Sequence, residues 1–308
     1  SLKECMQVQD FANLYNTDVL SKEIIDTAFG LENLVRQTGI HAAGIVISKE
    51  ALTNYLPTMQ KGVDKPVVTQ WDMGRVEQCG LLKIDFLGLR NLGVIDICIK
   101  LVKQHRQITL DVNDIPIDDK KTYDLLCQGK AMGVFQLESA GMRELMVQMQ
   151  PQNIQDIMAL ISLYRPGPMG SGVDKEYIDR KHGRSHVSYE HPKLEKVLGP
   201  SLGIMLYQED VLGVARELAG FTSAEADDLR KVIGKKLMDK IAMIRTKFVK
   251  GCIEHSNLDE EKANKIYSDI EYFGGYGFNR AHAASYAMVS YITAYLKAHY
   301  TAEYMAAL

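Results

Sequence analysis

"GLLKIDFLGLRNLG", residues Gly80–Gly93, sets an aspartate, Asp85, inside a run that is otherwise nearly all apolar. Its first half alternates. In an extended chain Leu82, Ile84 and Phe86 share one side, and Leu81, Lys83 and Asp85 share the other. After Asn91 the period changes, and Leu92, Ile95, Ile99 and Val102 recur at helical spacing. A strand therefore hands over to a helix within this stretch. The alternation predicts that Asp85 and Lys83 project from an open side of a small sheet while Leu82, Ile84 and Phe86 face a core. A carboxylate in such a run is costly unless something pairs with it. Two readings fit: a structural ion pair with Lys83, or a metal-binding carboxylate with a cation beside it. Mg²⁺ takes one or two carboxylates together with substrate phosphates. No DxD follows an apolar strand elsewhere in the sequence, so Asp85 has no obvious companion.

Upstream, "AAGIVIS" (42–48) and "PVVTQW" (66–71) are short, β-branched and bounded by Gly or Pro, and with residues 80–86 they predict one small sheet. Before them, Ile24, Ile25, Ala28 and Leu31 mark a helix. Downstream the reading is helical to Leu308, with loops at Gly129, at "RPGPMGSG" (165–172), around "HVSYEHP" (186–192) and at "FGGYGFN" (273–279). The class is α+β, mostly α, with a small sheet followed by a large helical region.

The 308 residues suffice for two or three domains, and 46% hydrophobic with 24% charged residues is ordinary for a globular protein. No run approaches 18 apolar residues, and "SLKECMQVQD" has no signal-peptide core. A start in mid-pattern without Met suggests an excised fragment, with Met removal before Ser as the alternative. Five scattered cysteines without CxxC suit a reducing cytoplasm rather than a zinc site or a disulfide framework.

Charge is uneven. Residues 229–251 hold eight Lys/Arg and one acid, Asp239, a local +7 in a chain of net −3. "FTSAEADDLRKVIGKK" (221–236) reads as a helix with a Thr222/Glu225 capping box, Arg230 and Lys231 toward its end and Gly234 as its stop. Dipole compensation accounts for two bases; phosphate contacts would account for the excess. Lys235 and Lys236 follow the glycine, and Ile241, Ile244, Phe248 and Cys252 mark the buried face of the next helix. In residues 272–300 a glycine-rich loop runs into a long helix. Asn279, Arg280 and His282 stand at its start, where free backbone N–H groups favour anions. Tyr272, Tyr276 and Phe278 could stack on a base, although aromatic plugs of a core fit equally. Tyr286, Tyr291, Tyr295, Tyr300 and Tyr304 read as packing residues with hydrated hydroxyls. His41 reads as a structural histidine, and His186 and His191 lack a third ligand for zinc.

"GIHAAGIVIS", "GLLKIDFLGLRNL", "GVFQLESAGM", "LYRPGPMGSG", "IDRKHG", "LYQEDV", "DDLRKVIGKK" and "GYGFNRAHAASYA" occur in this order. The series resembles the bacterial replicative polymerases of the C family, the DNA polymerase III alpha subunits, across nearly the whole chain. The resemblance implies thumb for residues 1–40, the second part of the palm for 41–90 and nucleotide-binding fingers for 91–308. It implies template-directed nucleotidyl transfer from a dNTP to a primer 3′-hydroxyl, with primer-template DNA, a sliding clamp and proofreading and loader components as partners. Asp85 would be the third of three metal-binding aspartates and Lys83 a cation near the triphosphate. Arg230 would contact the triphosphate. Lys231 stands where relatives often carry a second arginine, and it keeps the charge but not the bidentate geometry. Lys235, Lys236, Asn279 and His282 complete the expected nucleotide-binding set. Ile40 departs from a basic residue that some relatives carry. The PDxDxDF strand with the other two aspartates is absent from this sequence, as are the glycine-serine phosphate motif and the PHP, clamp-binding and OB regions. Two Mg²⁺ ions about 3.5–4 Å apart would serve the complete enzyme, and this chain alone should be inactive. Two other readings are a non-enzymatic helical module that binds single-stranded nucleic acid through its basic helices, and a metal-dependent hydrolase using Asp85 and His41. The second lacks a further carboxylate in the sheet region.

Overall fold

The computed structural model describes residues 2–34, 37–60, 62–235, 237–274 and 277–308; Lys236 and Tyr276 lie outside them. The chain divides into two compact units, Ser1–Gly88 and Leu89–Leu308, and its class is α+β, mostly α.

The first unit runs α1 (Leu2–Cys5), α2 (Gln9–Thr17), α3 (Val19–Leu31), β1 (Gly44–Ile47), β2 (Thr58–Gln60), β3 (Val67–Thr69), α4 (Met73–Gln78) and β4 (Leu82–Asp85). Asp18 opens α3 by accepting the Ser21 N–H. Of the expected apolar stripe on α3 only Ile25 is buried, and Ile24 and Leu31 are exposed. The strands form two separate antiparallel pairs, β1–β4 and β2–β3, rather than one sheet. β2 was not anticipated, because "TMQ" is short and carries no alternation.

The expected orientation of β4 is reversed. Leu82 is 59% and Phe86 63% exposed, with Ile45 and Ile47 exposed on β1. Val46 stands opposite Lys83, and paired residues share a face. Val46 packs on the small cluster of Leu56, Val76 and Leu81. α4 supplies Val76 to that cluster and packs on β4. The covered face is therefore the one with Lys83 and Asp85, and the aliphatic face lies open.

The second unit has no strand among its described residues. It runs α5 (Arg90–Arg106), α6 (Lys120–Cys127), α7 (Ala140–Met149), α8 (Ile154–Leu163), α9 (Pro166–Ser171), α10 (Val173–Lys181), α11 (Glu195–Leu198), α12 (Gln208–Ala219), α13 (Ser223–Gly234), α14 (Met238–Ser256), α15 (Glu260–Gly274), α16 (Arg280–His299) and α17 (Thr301–Ala307). One core gathers Leu126, Met146, Ile157, Leu160 and Tyr291 from α6, α7, α8 and α16. A second gathers Leu218, Leu229, Phe248 and Tyr267 from α12 to α15. A third joins Cys98 and Val102 of α5 to Leu296 and Tyr304. The Ile244, Phe248 and Cys252 face of α14 is buried as the spacing predicts, whereas Leu92 on α5 is exposed.

Two local expectations change. "RPGPMGSG" is not a loop: α9 starts at Pro166, since proline lacks an N–H where a first helical turn needs none. Gly234 is the last residue of α13 rather than its stop; Lys235 is the cap, at φ −91°. The Tyr291 and Tyr304 hydroxyls donate within the fold, to the carbonyls of Pro116 and Gly133, each at 2.6 Å.

Buried acids are accommodated in two ways. Asp156 meets Lys181 Nζ at 2.7 Å and also accepts the Gln152 N–H, joining α8 to the "IDRKHG" helix α10. Asp210 makes no ion pair with a described residue. Its Oδ2 accepts the N–H groups of Leu206 and Tyr207, both at 2.9 Å. Burial pushes its carboxyl up to about 6, against those two hydrogen bonds and the nearby Arg280, with Glu209 adding to the rise.

Asp156→Ala leaves the Lys181 ammonium buried without its counter-charge and is expected to cost about 3–5 kcal/mol in urea unfolding. A loss below about 1 kcal/mol would show that the ammonium reaches water. For Asp210 the sign is opposite to that of a salt-bridged acid. The folded chain holds the proton more tightly than the unfolded one, so its contribution is full at low pH and is lost as pH rises through about 6. Asp210→Asn keeps an oxygen for both N–H groups. It is expected to be more stable than the parent at pH 8 by on the order of 2–3 kcal/mol, with the difference closing by about pH 4. Denaturation across that range reads the gap, and a pH-independent gap would refute the assignment.

Candidate functional site

In the first unit β1 and β4 bring three groups together. Gly44 pairs with Asp85 across the ladder. Lys83 Nζ donates to Asp85 Oδ1 at 2.6 Å, and His41 Nδ1 stands 3.7 Å from the same oxygen. Lys83 is 15% and Asp85 39% exposed in the side chain, so the ammonium is sheltered while the carboxylate stays accessible. The Lys83 hydrogen bond is the largest cause holding Asp85 below the usual carboxylate range, with burial opposing it and the Lys83 and His41 charges assisting. Asp85 is thus an ionised hard-oxygen donor. Gly44 keeps the cluster uncrowded: a Cβ there would lie 3.0 Å from Lys83 Cε and 3.1 Å from both Asp85 Oδ1 and His41 Nδ1, so these side-chain ends would have to give by a few tenths of an ångström. His41, read from the sequence as merely structural, belongs to this cluster.

Does the cluster make a magnesium site? Among the described residues no group of three His, Cys, Asp or Glu side chains could hold a metal. One carboxylate already neutralised by an ammonium does not make such a site. Asp85 can be one ligand, and among the described residues its neighbours do not complete a set.

In the second unit the capping box opens α13 as the spacing predicts: Thr222 N–H donates to Glu225 at 2.8 Å and Glu225 N–H to Thr222 Oγ1 at 3.3 Å. Two turns on, Arg230 and Lys231 share one acid, Asp227, at 2.8 and 2.7 Å. The trio keeps a net positive charge, and Asp227 orients both cations. Lys235 is exposed at the helix end. Other bases of the block are compensated: Lys247 by Glu225 at 2.7 Å and Lys250 by Glu254 at 3.7 Å, while Arg245 donates to Asn264. The local +7 therefore overstates the free charge, because its partners Glu225, Asp227 and Glu254 fall outside residues 229–251.

Arg230 and the glycine loop meet. A small cavity of about 30 Å³ is bordered by Arg230, Ile233, Gln208, Phe273, Gly274 and Gly277, among others. Glycine is needed for this approach: a Cβ at Gly274 would lie 2.1 Å from Ile233 Cγ2, and one at Gly277 2.8 Å from the Phe273 ring.

At the start of α16 two of the expected free N–H groups are taken. Asn279 Oδ1 accepts the His282 N–H at 2.8 Å, and Glu209 Oε2 accepts the Arg280 N–H at 2.9 Å. Glu209 Oε1 also accepts from Asn279 Nδ2 at 3.0 Å. Phe278 lies under the Arg165 guanidinium, 4.9 Å from its centroid, and edge-on to His282 at 5.3 Å. His282 in turn stands 3.9 Å from the Tyr286 ring. Arg280 covers Tyr207 at 5.5 Å. The sequence reading missed Gln208 and Glu209, although "LYQEDV" had been noted as a motif; an acid in a first helical turn looks like ordinary dipole compensation.

Comparison with known proteins addresses the family of the chain. Residues 91–256 match the bacterial DNA polymerase III alpha subunit finger domain, and residues 1–88 match the domain described as the bacterial DNA polymerase III alpha NTPase domain. The DNA polymerase III subunit alpha of Aquifex aeolicus is 44% identical over 97% of this chain, that of Thermus aquaticus 45% over 100% and that of Escherichia coli K12 44% over 96%. The chain spans about a quarter of the length of these relatives, 26%, 25% and 26% respectively. With the finger-domain match alone covering more than half of its residues, the chain belongs to the bacterial DNA polymerase III alpha subunit family.

Proposed function

We propose that this chain is the palm-and-fingers segment of a replicative DNA-directed DNA polymerase, which transfers nucleotidyl groups from dNTPs to a primer 3′-hydroxyl under template direction. The observation that carries the reading is the coincidence of family membership with two oriented sets of groups: Asp85 with Lys83, and Arg230 with Lys231 on Asp227. Lys83 is proposed as a triphosphate cation on the strength of the family resemblance, and Arg230 and Lys231 as two more on α13; Lys235 and Lys236 belong to the same proposed set. Asn279 and His282 complete the proposed nucleotide-binding set. Phosphoryl transfer is mostly positioning and charge stabilisation, and these residues do that work.

Asp85 is one carboxylate of the Mg²⁺ site of the complete enzyme, whose remaining ligands come from outside this chain. Primer-template DNA is the macromolecular partner, and the sliding clamp and proofreading and loader components are partners of the complete polymerase. The cytoplasm is the compartment we assign. Among the described residues no helix is long and apolar enough to cross a membrane, and the five cysteines are unpaired.

Two measurements test the reading. The 308-residue chain, incubated with primer-template, Mg²⁺ and four dNTPs, is expected to give no extension; extension abolished by Asp85→Ala would mean that its own acids complete the metal site. In the full-length polymerase, Arg230→Ala removes a charge-assisted contact worth about 1.5–3 kcal/mol. It should raise the KM for dNTP by roughly ten- to a hundredfold, with little change in primer-template affinity. Weakened DNA binding with unchanged dNTP kinetics would reassign α13 to the duplex. Strongly salt-dependent binding that ignores free dNTP would favour the non-enzymatic nucleic-acid module.

A further inference from the structure

"LYQEDV" is the motif that the reading above leaves without a task. Its segment, Leu206–Asp210, lies against the loop that leads into α16. Gln208 N–H donates to the Phe278 carbonyl at 2.8 Å, and Phe278 N–H to the Leu206 carbonyl at 3.4 Å. Gln208 Nε2 donates to the Gly277 carbonyl at 3.1 Å. Glu209 then spans Asn279 and Arg280 with its two oxygens. Asp210 holds the segment's own turn through Leu206 and Tyr207.

An acid in the first turn of α12 would ordinarily serve the dipole of α12. Glu209 does something more specific: both its oxygens are spent on residues about 70 positions away in sequence. The consequence falls on Asn279. A carboxylate accepts only, so it fixes the amide with its NH₂ toward Glu209 and its oxygen toward the His282 N–H. Removing Glu209 leaves the amide free to turn over and lose its cap on α16.

We propose that Leu206–Asp210 is a clasp for the start of α16 and that Glu209 is a positioning residue for the dNTP, acting through Asn279. This rests on the assignment of the dNTP to Arg230, Asn279 and His282.

The test is steady-state kinetics of the full-length polymerase, with dNTP and primer-template varied separately. Glu209→Ala is expected to raise the KM for dNTP about tenfold, the equivalent of one charge-assisted hydrogen bond, while the primer-template constant stays within about twofold. Glu209→Gln keeps an acceptor for Asn279 and should restore most of the loss. The double variant Glu209→Ala/Asn279→Ala should be no worse than Asn279→Ala alone, because the two act as one unit. Additive losses would overturn the claim that Glu209 acts through Asn279. A reduced kcat with an unchanged dNTP KM would make the clasp a purely structural element. Arg230→Ala separates the two levels. If it raises the dNTP KM and Glu209→Ala does not, the clasp proposal fails and the dNTP assignment stands. If neither raises it, the assignment fails and the proposal falls with it.

Discussion

Helix α16 can run through the larger unit only because its inner face is made of small side chains. Ala283, Ala287, Ser290 and Ala294 are all fully buried, spaced three or four residues apart so that they share one stripe. Small residues let a neighbouring backbone come close, and α8 uses the room, with every residue from Asp156 to Leu163 buried. Ile157, Leu160 and Leu163 fill what the alanines leave open. The far half of α16 is then pinned by polar contacts. Tyr291 Oη donates to Pro116 and accepts from the Asp119 N–H, Thr293 Oγ1 accepts the Phe135 N–H, and Lys297 Nζ donates to Lys130 and Met132 carbonyls. His299 meets Asp119 at 2.9 Å. A helix held this way presents its first turn from a fixed base, and Asn279, Arg280 and His282 inherit that rigidity.

Helix α13 is fixed by different means. α13 buries Ala226, Leu229, Val232 and Ile233, which leaves Asp227, Arg230 and Lys231 on the outward side. One carboxylate for two cations is a useful ratio: it orients the guanidinium and the ammonium without cancelling them. A fully neutralised pair would pay twice to bind phosphate, once to break its own contact and once to desolvate. The exposed pairs on α14, Lys247 with Glu225 and Lys250 with Glu254, contribute little to stability and spread the charge instead.

Much of this was legible in the sequence because it is local. The Thr222/Glu225 box, the buried side of α14, the strand at Lys83–Asp85 and the helix after Asn91 all follow from short-range spacing. What was not legible has a common cause. A period of two shows that a strand has two faces but not which one is covered, and the two-stranded β1–β4 ladder is covered on the side that carries Lys83. β2 is too short to show any period, and α9 hides behind prolines that suit a first turn as well as a loop. The charge block looked freer than it is, because Glu225, Asp227 and Glu254 lie just beyond its ends. Asp119 with His299, and Glu209 with Asn279, join positions far apart in the chain, and no window of sequence shows such a pair.

The same asymmetry separates the groups proposed to meet substrate from those that hold them. A lone aspartate in an apolar strand or an arginine beyond need on a helix stands out by its chemistry, since its cost has to be answered somewhere. Glu209, Asp227 and Gly44 do not stand out: each satisfies an ordinary local rule, a first-turn acid, a helical ion pair, a strand glycine. The geometry alone reveals the second task of each. Gly44 leaves space over Asp85, Asp227 aims two cations, and Glu209 turns the amide of Asn279. Gly274 belongs with them. A glycine there reads as looseness, yet it is what lets the end of α15 approach Ile233 and so brings Arg230 beside the loop. The supporting residues are therefore hard to read for a physical reason: their function is a direction imposed on a neighbour, and direction exists only once the chain has folded.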